Sequence, residues 1–590
     1  MPIALDTEST YAKDRDIRSL GVRRYVSHPE THHYLVSGYS ADPDCAGAGV
    51  SEPDRFKWEI IEGATLVSHN AAYDASVIAD LRLRGLAIPH PAAWHCTADL
   101  AAYRQSPRAL ADASRELLGL KVDKTLRDEM KGVEWRTLPT EKKLAMAEYC
   151  LLDAKATYHI WNKESSNWPS EEMAVSDHTA MMCRRGISVD RARLADGIKI
   201  LRDAKFEASR LIPWAGELNA KGNELPVTST LELAKECARR GILPPATTDA
   251  KSEVFDNWLE ENGEKAEFVK GMQVWRSCNR VLKVLIAMQD RQVSGRLQYG
   301  LKYFGAPHTG RWSGDTGLNL QNQARKPYKG VDTRACLIPA PGKLFLIADY
   351  SQIEARVTTW LAKDEPVLEM LRGGLDIYEA HARQTMRYTD PRPLAEVDPG
   401  MRQFAKCRVL ALGFGLGGPK FKAIVKLWTG VDITATQAKQ MVADYRRSNR
   451  GIVKLWGVLE DGARRSQGEN FELQLPSGRT INYFDVASIR DKLTARVTRG
   501  GPRKSIYGGL LCENCSQATA RDLLARAILR VEAAGLPVVL HVHDEIVCEV
   551  PEGDAEAGAQ EMKELMRALP DWAEGLPVDC SVEIKKEYGK

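Results

Sequence analysis

The sequence lacks long hydrophobic runs, a leader segment and a large net charge. No stretch approaches the roughly 18 uninterrupted apolar residues that a membrane span needs, so we expect no membrane association. The N-terminus has neither the basic segment nor the apolar core of a secretory signal. A net charge of +3 on 590 residues argues against a histone-like protein, but nucleic-acid binding needs only a local basic surface.

Clustered cysteines are also scarce. Twelve cysteines are spread along the chain, and one close pair occurs, at Cys512 and Cys515. A structural zinc site needs about four ligands, so we interpret this pair as two buried thiols. Reduced thiols without an export signal predict a cytoplasmic protein. The composition, 27% charged and 44% hydrophobic, is that of globular proteins, and the length predicts about three or four domains.

The order of strand-like and helix-like segments suggests several domains. Strands alternate with helices up to Trp161, which predicts an α/β domain, and the polar segment 162–171 contains a proline and marks a boundary. The stretch 173–286 is mostly helical, and strand-like runs follow at 343–349 and 537–543. Within the helix-rich stretch between these runs, six basic residues occur over 401–430 without any acid, which favours a polyanion partner.

Three acidic motifs lie in the first 165 residues. Each alone has an ordinary explanation: a solvated strand end, or a surface acid beside a core tyrosine on one helical face. Taken in order along the chain, the three resemble the motifs of proofreading-type 3′–5′ exonucleases. The motifs are Asp6-x-Glu8, Asn70-x-x-x-Asp74 and Tyr149-x-x-x-Asp153.

The exonuclease resemblance implies an RNase H-like α/β fold and a two-metal site. Four carboxylates can hold two divalent ions about 3.5–4 Å apart, and Mg²⁺ prefers such oxygen ligands, with Mn²⁺ as an alternative. By resemblance, Tyr149 orients the attacking water and Asn70 helps to position the substrate. The metal ligands would be Asp6, Glu8, Asp74 and Asp153.

Two further acidic motifs lie near the C-terminal strands. Asp349 ends an apolar strand, and apolar residues then recur at helical spacing. Ser351-x-x-Glu354 fits a helix capping box, which is the ordinary explanation for Glu354. Asp544 and Glu545 lie between two apolar runs, so we expect a β-hairpin with both acids at its tip. Two like charges side by side at a tip suggest a cation.

The second half of the chain resembles family A DNA polymerases, the type of the large fragment of bacterial polymerase I. Five motifs agree in order and spacing, strongly over about 290–590 and loosely over 173–290. The motifs are TGRWS (309–313) followed by NLQN (319–322) and Arg325, DYSQIEAR (349–356), Arg402-x-x-x-Lys406-x-x-x-Leu410 with Phe414-Gly415, SQATARD (516–522), and VHDE (542–545).

The polymerase resemblance assigns catalytic roles. Asp349 and Asp544 would bridge two Mg²⁺, and Glu545 would support them. Lys406 would meet the triphosphate and donate a proton to the pyrophosphate. Glu354 would be the steric gate that selects deoxynucleotides. The expected nucleotide-binding residues are Arg402, Lys406, Leu410, Phe414, Glu354 and Tyr378.

The spacing of the nucleotide-binding residues predicts one helical face, because Arg402, Lys406, Leu410 and Phe414 recur every four residues. Primer–template contacts, including minor-groove contacts from Arg311 and Gln517, are implied for a further set. The expected DNA-binding residues are Arg311, Asn319, Gln321, Asn322, Arg325, Gln517 and His543.

Three positions depart from the family pattern. The family has Phe or Tyr at the Leu410 position, Tyr at the Phe414 position and His at the Tyr378 position. These departures leave catalysis intact and put sugar and base selectivity in question.

The resemblance also implies a domain plan. An α/β exonuclease domain would be followed by a right-hand polymerase domain with an α+β palm, helical fingers and a helical thumb. We expect the exonuclease domain at 1–165, a linker and thumb at 166–300, the palm at 301–361 and 506–590, and the fingers at 362–505.

The layout is compact. The first strand begins at residue 2, so we expect no 5′ nuclease domain, and the thumb stretch leaves little room for an insertion that binds a processivity partner. We therefore expect a monomeric bacteriophage replicative enzyme in the host cytoplasm, acting on primer–template DNA and deoxynucleoside triphosphates without an obligatory processivity factor.

Two alternatives remain open. A single-subunit RNA polymerase would share the palm carboxylates and the fingers cations, although Glu354 and the exonuclease motifs argue against it. A non-catalytic DNA-binding replication factor with the same fold would have lost carboxylates, and none is missing here.

Overall fold

The computed structural model describes residues 2–42, 49–249 and 252–589. The chain forms two compact units, each assembled from separate segments. The first unit comprises Met1–Gly186, Tyr299–Gln321 and Gly342–Lys585. The second unit comprises Ile187–Gln298, Asn322–Pro341 and Lys586–Lys590.

The N-terminal part of the first unit is an α/β layer structure. Its elements are β1 (Pro2–Ser9), α1 (Ile17–Leu20), α2 (Val22–Val26), β2 (His33–Tyr39), β3 (Gly49–Ser51), β4 (Thr65–Ser68), α3 (Ala71–Leu83), β5 (Ala93–Cys96), α4 (Thr97–Tyr103), α5 (Leu110–Leu118), α6 (Thr125–Glu129), α7 (Thr140–Glu164) and α8 (Ser170–Arg185). The strands form one sheet in the order β3-β2-β1-β4-β5. β1 is central, antiparallel to β2 and parallel to β4.

The two faces of β1 have different partners because side chains alternate along a strand. Ile3 and Leu5 point to the side of α3, where they join a core cluster. Ala4 points to the other side and packs with Ala154 and Tyr158 of α7. The alternation places Asp6 and Glu8 on the face of Ala4, which is the face that α7 covers.

The middle of the chain, from 187 to 341, contributes to both units. Its elements are β6 (Ile187–Val189), α9 (Arg191–Ser209), α10 (Thr230–Arg240), α11 (Glu253–Asn262), α12 (Glu267–Asp290), β7 (Gln292–Val293), β8 (Arg296–Leu297), β9 (Leu301–Lys302), β10 (Ser313–Gly314) and β11 (Leu337–Ile338). In the second unit the long helices α9 and α12 pack together beside a sheet in the order β11-β6-β8-β7. β9 and β10 form an antiparallel pair in the first unit.

The rest of the first unit is α+β. Its helices are α13 (Ile353–Leu361), α14 (Glu365–Arg372), α15 (Ile377–Thr385), α16 (Leu394–Val397), α17 (Pro399–Cys407), α18 (Gly418–Thr429), α19 (Ala435–Ser448), α20 (Arg450–Arg465), α21 (Gly508–Ala533) and α22 (Ala555–Arg567). Its strands are β12 (Lys343–Tyr350), β13 (Phe471–Gln474), β14 (Thr480–Ile489), β15 (Lys492–Arg496), β16 (Arg503–Ser505), β17 (Val538–Val542), β18 (Glu545–Pro551) and β19 (Cys580–Lys585). They form two sheets, β17-β18-β12-β19 and β13-β14-β15-β16.

Several predicted elements are confirmed. Strands occur at β1, β12 and β17. The predicted domain boundary at 162–171 stays a prediction: α7 ends and α8 begins there, but the first compact unit continues to Gly186. Cys512 and Cys515 are buried free thiols, as predicted. The division into exonuclease, thumb, palm and fingers segments stays a prediction. No helix in the described ranges is long and apolar enough to cross a bilayer.

Candidate active sites

The first site lies where β1 meets α7. Asp6 and Glu8 come from β1, and Tyr149 and Asp153 come from buried positions one helical turn apart on α7. Ligand oxygens of Asp6, Glu8 and Asp153 all lie within 4.8 Å of one another. The Cys150 thiol, 3.4 Å from Asp6 Oδ2, fills the space between the strand and the helix. Three of the four carboxylates predicted in 1–165 are thus brought together.

Asp74 joins the first site from α3. The backbone N–H of Thr7 donates to Asp74 Oδ1 at 3.1 Å, and the Thr7 hydroxyl donates to the same oxygen at 2.7 Å. These bonds hold the Asp74 carboxylate against Thr7 of β1. Asn70 occupies the N-cap position of α3 in the left-handed region, with φ of 84°, and makes no side-chain capping bond.

Burial is the main influence on the ionisation of these carboxylates. It raises the pKa of Glu8 to about 7 and the pKa of Asp74 to about 8. Burial followed by the charge of Glu8 holds the pKa of Asp6 well above its usual range. Burial also raises the pKa of Asp153. Four carboxylates that resist ionisation together are suited to a cation, which would stabilise their charged forms.

Two cations that the motifs did not reveal also contact this site. Lys124 Nζ donates to Tyr149 Oη at 3.0 Å and forms an ion pair with Asp153 Oδ2. The positive charge of Arg127 lowers the pKa of Glu8 against the effect of burial. Lys124 lies in the irregular segment before the short helix α6, and Arg127 lies in α6. No periodic spacing in these segments could have indicated either residue.

The second site lies at the end of the β17-β18-β12-β19 sheet. Asp349 is the next-to-last residue of β12 and pairs with Glu545 on β18. The hairpin between β17 and β18 differs from the prediction, because its two turn residues are His543 and Asp544, and Glu545 already belongs to the strand. His543 can lead this tight turn because its φ is 55°, in the left-handed region.

The two aspartates of the second site are close in space. Burial, and then the charge of Asp349, raises the pKa of Asp544 to about 7. Tyr350 N–H donates to the Asp544 carbonyl at 3.1 Å, which ties the turn to the end of β12. Glu545 is buried beside them. The predicted catalytic carboxylates Asp349 and Asp544 are therefore brought together, one from strand β12 and the other from the turn between β17 and β18.

The capping-box explanation for Glu354 is wrong. The N-cap of α13 is Gln352, with φ of 49°, and neither it nor Ser351 provides a side-chain capping bond. The chain enters this helix through a left-handed residue, so the hydroxyl of Ser351 is one position too early. Glu354 instead forms an ion pair with Arg311, which leaves both side chains beside the Asp544 carboxyl.

Arg402 is held by an acid and an aromatic ring. Its Nε and Nη2 donate to Asp376 Oδ2 at 3.1 and 3.0 Å, and its guanidinium lies 5.3 Å from the ring centre of Tyr378. Asp376 Oδ1 also accepts from the Tyr378 and Glu379 N–H groups and caps α15. Burial raises the pKa of Tyr378 to about 12, and Asp544 and Glu354 add to this effect. Tyr378 therefore lies near the second site.

The predicted single helical face from 402 to 414 is only half right. Arg402 and Lys406 lie on α17, but the helix continues as a π-helical turn over Arg408–Leu412 and then ends. A π turn has more residues per turn than an α-helix, so a four-residue step no longer stays on one face. Leu410 and Phe414 instead meet at a small apolar pocket that His381 and Tyr445 also line.

The expected DNA-binding residues have varied surroundings. The Asn319 side chain accepts from Gln321 N–H at 2.9 Å, and the buried Gln321 amide donates to the His541 carbonyl at 3.3 Å. Gln517 donates to Glu513 at 3.3 Å. The exposed members of the set are Asn322, Arg325 and His543.

Sequence comparisons identify relatives of the chain. A family model described as DNA polymerase family A matches residues 215–590, more than half of the chain. A DNA polymerase of Bacillus phage SP02 is 27% identical, and the match covers 98% of each chain. The thermostable DNA polymerase I of Thermus aquaticus is 30% identical over 289 residues, which is 48% of this chain and 31% of that protein.

A solved structure has the same fold. It is titled "POL domain of Pol1 from M. smegmatis complex with DNA primer-template and dNTP", with a TM-score of 0.68 over 99% of this chain and 95% of that chain. At 19% sequence identity, this likeness shows the fold alone. The family match, together with the full-length phage relative, leads to one conclusion: the chain belongs to DNA polymerase family A and is a DNA-directed DNA polymerase.

Proposed function

We propose that this polymerase also removes nucleotides from the primer 3′ end, using a second and separate carboxylate site. The observation that carries this proposal is the convergence of Asp6, Glu8 and Asp153 from β1 and α7. The sheet order β3-β2-β1-β4-β5, with β2 antiparallel to its neighbours, supports an RNase H-like exonuclease domain at 1–165.

The donor groups of both sites fit Mg²⁺. In the first site Asp153 Oδ1 is buried and has no hydrogen-bond partner among the residues that the structure describes, although Asp153 lies beside two other carboxylates. In the second site burial, and then the charge of Asp349, raises the pKa of Asp544, so the two carboxylates lie near each other. The proposed ligands are Asp6, Glu8, Asp74 and Asp153 in the first site, and Asp349 and Asp544 in the second. When bound, Mg²⁺ would make a water molecule or a 3′ hydroxyl more acidic and would neutralise charge on the leaving oxygen.

In the first site the protein groups would orient the water that attacks the terminal phosphodiester. Tyr149 offers a neutral hydroxyl beside the carboxylates, since burial keeps its pKa far above the usual range. It can donate one hydrogen bond to a water and hold it in line. Asn70, at the start of α3, would contact the 3′ nucleotide.

In the second site the protein groups would bind and orient the incoming nucleotide. Arg402 and Lys406 would bind the triphosphate, and Lys406 would hold a proton for the departing pyrophosphate. Tyr378 would support Arg402 through its ring. Glu354 would crowd a 2′ hydroxyl, and Leu410 and Phe414 would contact the sugar and base. Glu545 would support the aspartates.

The partners we propose are primer–template DNA and deoxynucleoside triphosphates. The contacts to DNA would come from Arg311, Gln517 and His543, and from the exposed Asn322 and Arg325. A role in bacteriophage DNA replication agrees with the similarity to the SP02 protein over 98% of each chain. We also propose that the protein acts as a monomer. The 166–300, 301–361, 362–505 and 506–590 segments would be the linker and thumb, palm, fingers and second palm segment.

One labelled primer–template tests the whole proposal. Without nucleotides, the primer should shorten from its 3′ end, and with all four deoxynucleotides it should be extended. A chelator should stop both reactions, and Mg²⁺ should restore them. Extension without any shortening would contradict the exonuclease proposal, and efficient extension with ribonucleotides would favour the RNA polymerase alternative.

A further inference from the structure

Among the side-chain contacts of the described residues, Lys124 is the one cation that contacts both Asp153 and Tyr149 of the first site. Its Nζ donates to Tyr149 Oη at 3.0 Å, pairs with Asp153 Oδ2, and lies 4.8 Å from the ring centre of Tyr149. These three contacts converge from one side chain.

The backbone around Lys124 is held by contacts that do not involve the four carboxylates of the first site. Asp123 Oδ1 accepts from the N–H and the hydroxyl of Thr125, both at 2.9 Å, which closes a local Asx turn around Lys124. Three residues later, the Arg127 carbonyl accepts from Tyr11 Oη at 2.7 Å. The segment that carries Lys124 is thus anchored at both ends, so the ammonium is presented to the site.

Resting on the proposed exonuclease function, we propose that Lys124 is a positioning residue of the 3′–5′ exonuclease site. It orients Tyr149 and shares Asp153 with a divalent cation. Because Lys124 donates to the oxygen of Tyr149, the single phenolic proton points away from the ammonium, and the hydroxyl also interacts with Asp153. Because Asp153 Oδ2 is engaged by Lys124, Oδ1 is the oxygen left without a partner beside Asp6 and Glu8.

This arrangement has two opposite consequences for Lys124→Met, a substitution that keeps the length of the side chain and removes its charge. Turnover should fall because Tyr149 loses its orientation. Affinity for a divalent cation in the absence of DNA should rise, because a competing positive charge leaves Asp153. A purely structural lysine would not produce this combination.

The experiment uses the full-length chain with Asp349→Ala and Asp544→Ala, so that the second site neither binds metal nor extends the primer. We expect Lys124→Met to lower kcat for digestion of a single-stranded oligonucleotide at least about fivefold, with KM changed less than about threefold. Mn²⁺ titration followed by electron paramagnetic resonance should show at least about threefold tighter binding. Lys124→Arg should return Mn²⁺ affinity to within about twofold of the parent.

Two comparisons make the test specific. Lys142→Met, which removes an exposed lysine paired with Glu129 at 3.2 Å, should change neither kcat nor Mn²⁺ affinity. Combining Lys124→Met with Tyr149→Phe should cost no more in kcat than the worse single change, because both act through one hydroxyl. Unaltered primer extension by Lys124→Met in the otherwise natural chain would show that the variant folds.

A smaller loss of kcat, a loss confined to KM, additive effects with Tyr149→Phe, or unchanged or weaker Mn²⁺ binding would each overturn the proposal. Failure of the exonuclease function itself has a different signature. In that case Asp6→Ala with Glu8→Ala would not reduce the 3′ digestion measured for the parent chain. The Mn²⁺ titration would still report on Lys124 and Asp153.

Discussion

The two carboxylate sites handle their positive charges in different ways. In the first site Lys124 pairs directly with Asp153, which is a proposed metal ligand. In the second site the cations are paired with acids that are not proposed ligands: Arg311 with Glu354, and Arg402 with Asp376. These two arginines of the second site are therefore each engaged by a neighbouring acid, although Arg311 also lies near the Asp544 carboxyl.

This difference suggests different uses of the cations. A cation on a metal ligand influences the metal site before any substrate arrives. A cation paired with a neighbouring acid can exchange that acid for a phosphate or a base edge when DNA and nucleotide bind, since charge-assisted hydrogen bonds to phosphate are at least as strong. The first site is thus organised around its metal, and the second around its substrate.

The sharpest separation of the two sites comes from removing their carboxylates. Asp349→Ala or Asp544→Ala should lower primer extension by about a thousandfold or more and leave 3′ digestion intact, because the lost oxygens hold the catalytic cation. Asp6→Ala with Glu8→Ala should do the reverse. Rates of extension and digestion on one labelled primer–template measure both effects. Loss of both activities in either variant would break the comparison.

Sequence reasoning located the carboxylates because their spacing has a direct structural meaning. Asp6 and Glu8 are two apart on a strand and so share a face, and Tyr149 and Asp153 are four apart on a helix and so are neighbours. Helix-period reasoning failed at Leu410, because it assumes an unbroken α-helix and a π turn intervenes. The hairpin tip was displaced by one residue because His543 accepts a left-handed conformation.

Long-range ion pairs could not have been predicted. Strands β10, β11 and β12 lie between Arg311 and Glu354 in the sequence, and helix α6, an irregular segment and the first half of α7 lie between Lys124 and Asp153. No local propensity links such residues, since their approach depends on how whole elements pack. The resemblance to known polymerases indicated roles for Arg311 and Glu354 separately and gave no sign that they pair in the chain without substrate.

The Glu354 side chain should control the choice of sugar. Glu354→Ala removes the proposed gate, and the ribonucleotide-to-deoxynucleotide ratio of kcat/KM should rise by about tenfold or more, equivalent to about 1.4 kcal/mol. Freed from its acid, Arg311 should also bind primer–template at least as tightly as before. The measurement is kcat/KM for ATP and dATP opposite one template base, in an exonuclease-inactive background.

A matched control for Glu354 is available on the next helix. Glu365 also lies in the first turn of a helix and pairs with an arginine, Arg372, at 3.1 Å. Glu365→Ala should leave the sugar ratio unchanged. An unchanged ratio in Glu354→Ala would reject the gate and leave only the ion pair with Arg311.

The Asp376 carboxylate should set the position of Arg402. Asp376→Asn keeps an N-cap for α15, because asparagine caps as well as aspartate, but weakens the ion pair. We expect KM for the nucleotide to rise by about three- to tenfold with a smaller change in kcat, since a misplaced arginine chiefly weakens triphosphate binding. Asp390→Asn, at an exposed pair with Arg392, is the control. A fall in kcat alone would place Asp376 in another role.

The smallest expected effect concerns the pH dependence of stability without metal. Burial raises the pKa of Glu8 from its usual value to about 7, so the folded chain prefers the protonated acid. The stabilisation is present below the pKa of the unfolded chain and is lost as pH rises toward 7. At pH 8 the charged cluster should therefore destabilise the metal-free protein.

Asp6→Asn with Glu8→Gln should then raise the apparent melting temperature by about 2–5 °C at pH 8. The gain should be much smaller at pH 4, where the carboxyls are protonated in the folded chain and roughly half protonated in the unfolded chain. Added Mg²⁺ should raise the melting temperature of the natural chain at pH 8 more than that of the variant, because only the natural cluster retains all its ligands. Asp112→Asn with Glu116→Gln, which alters acids paired with Arg115 at the surface, should show neither effect. An equal gain at both pH values would mean that shape, not charge, limits the stability of the first site.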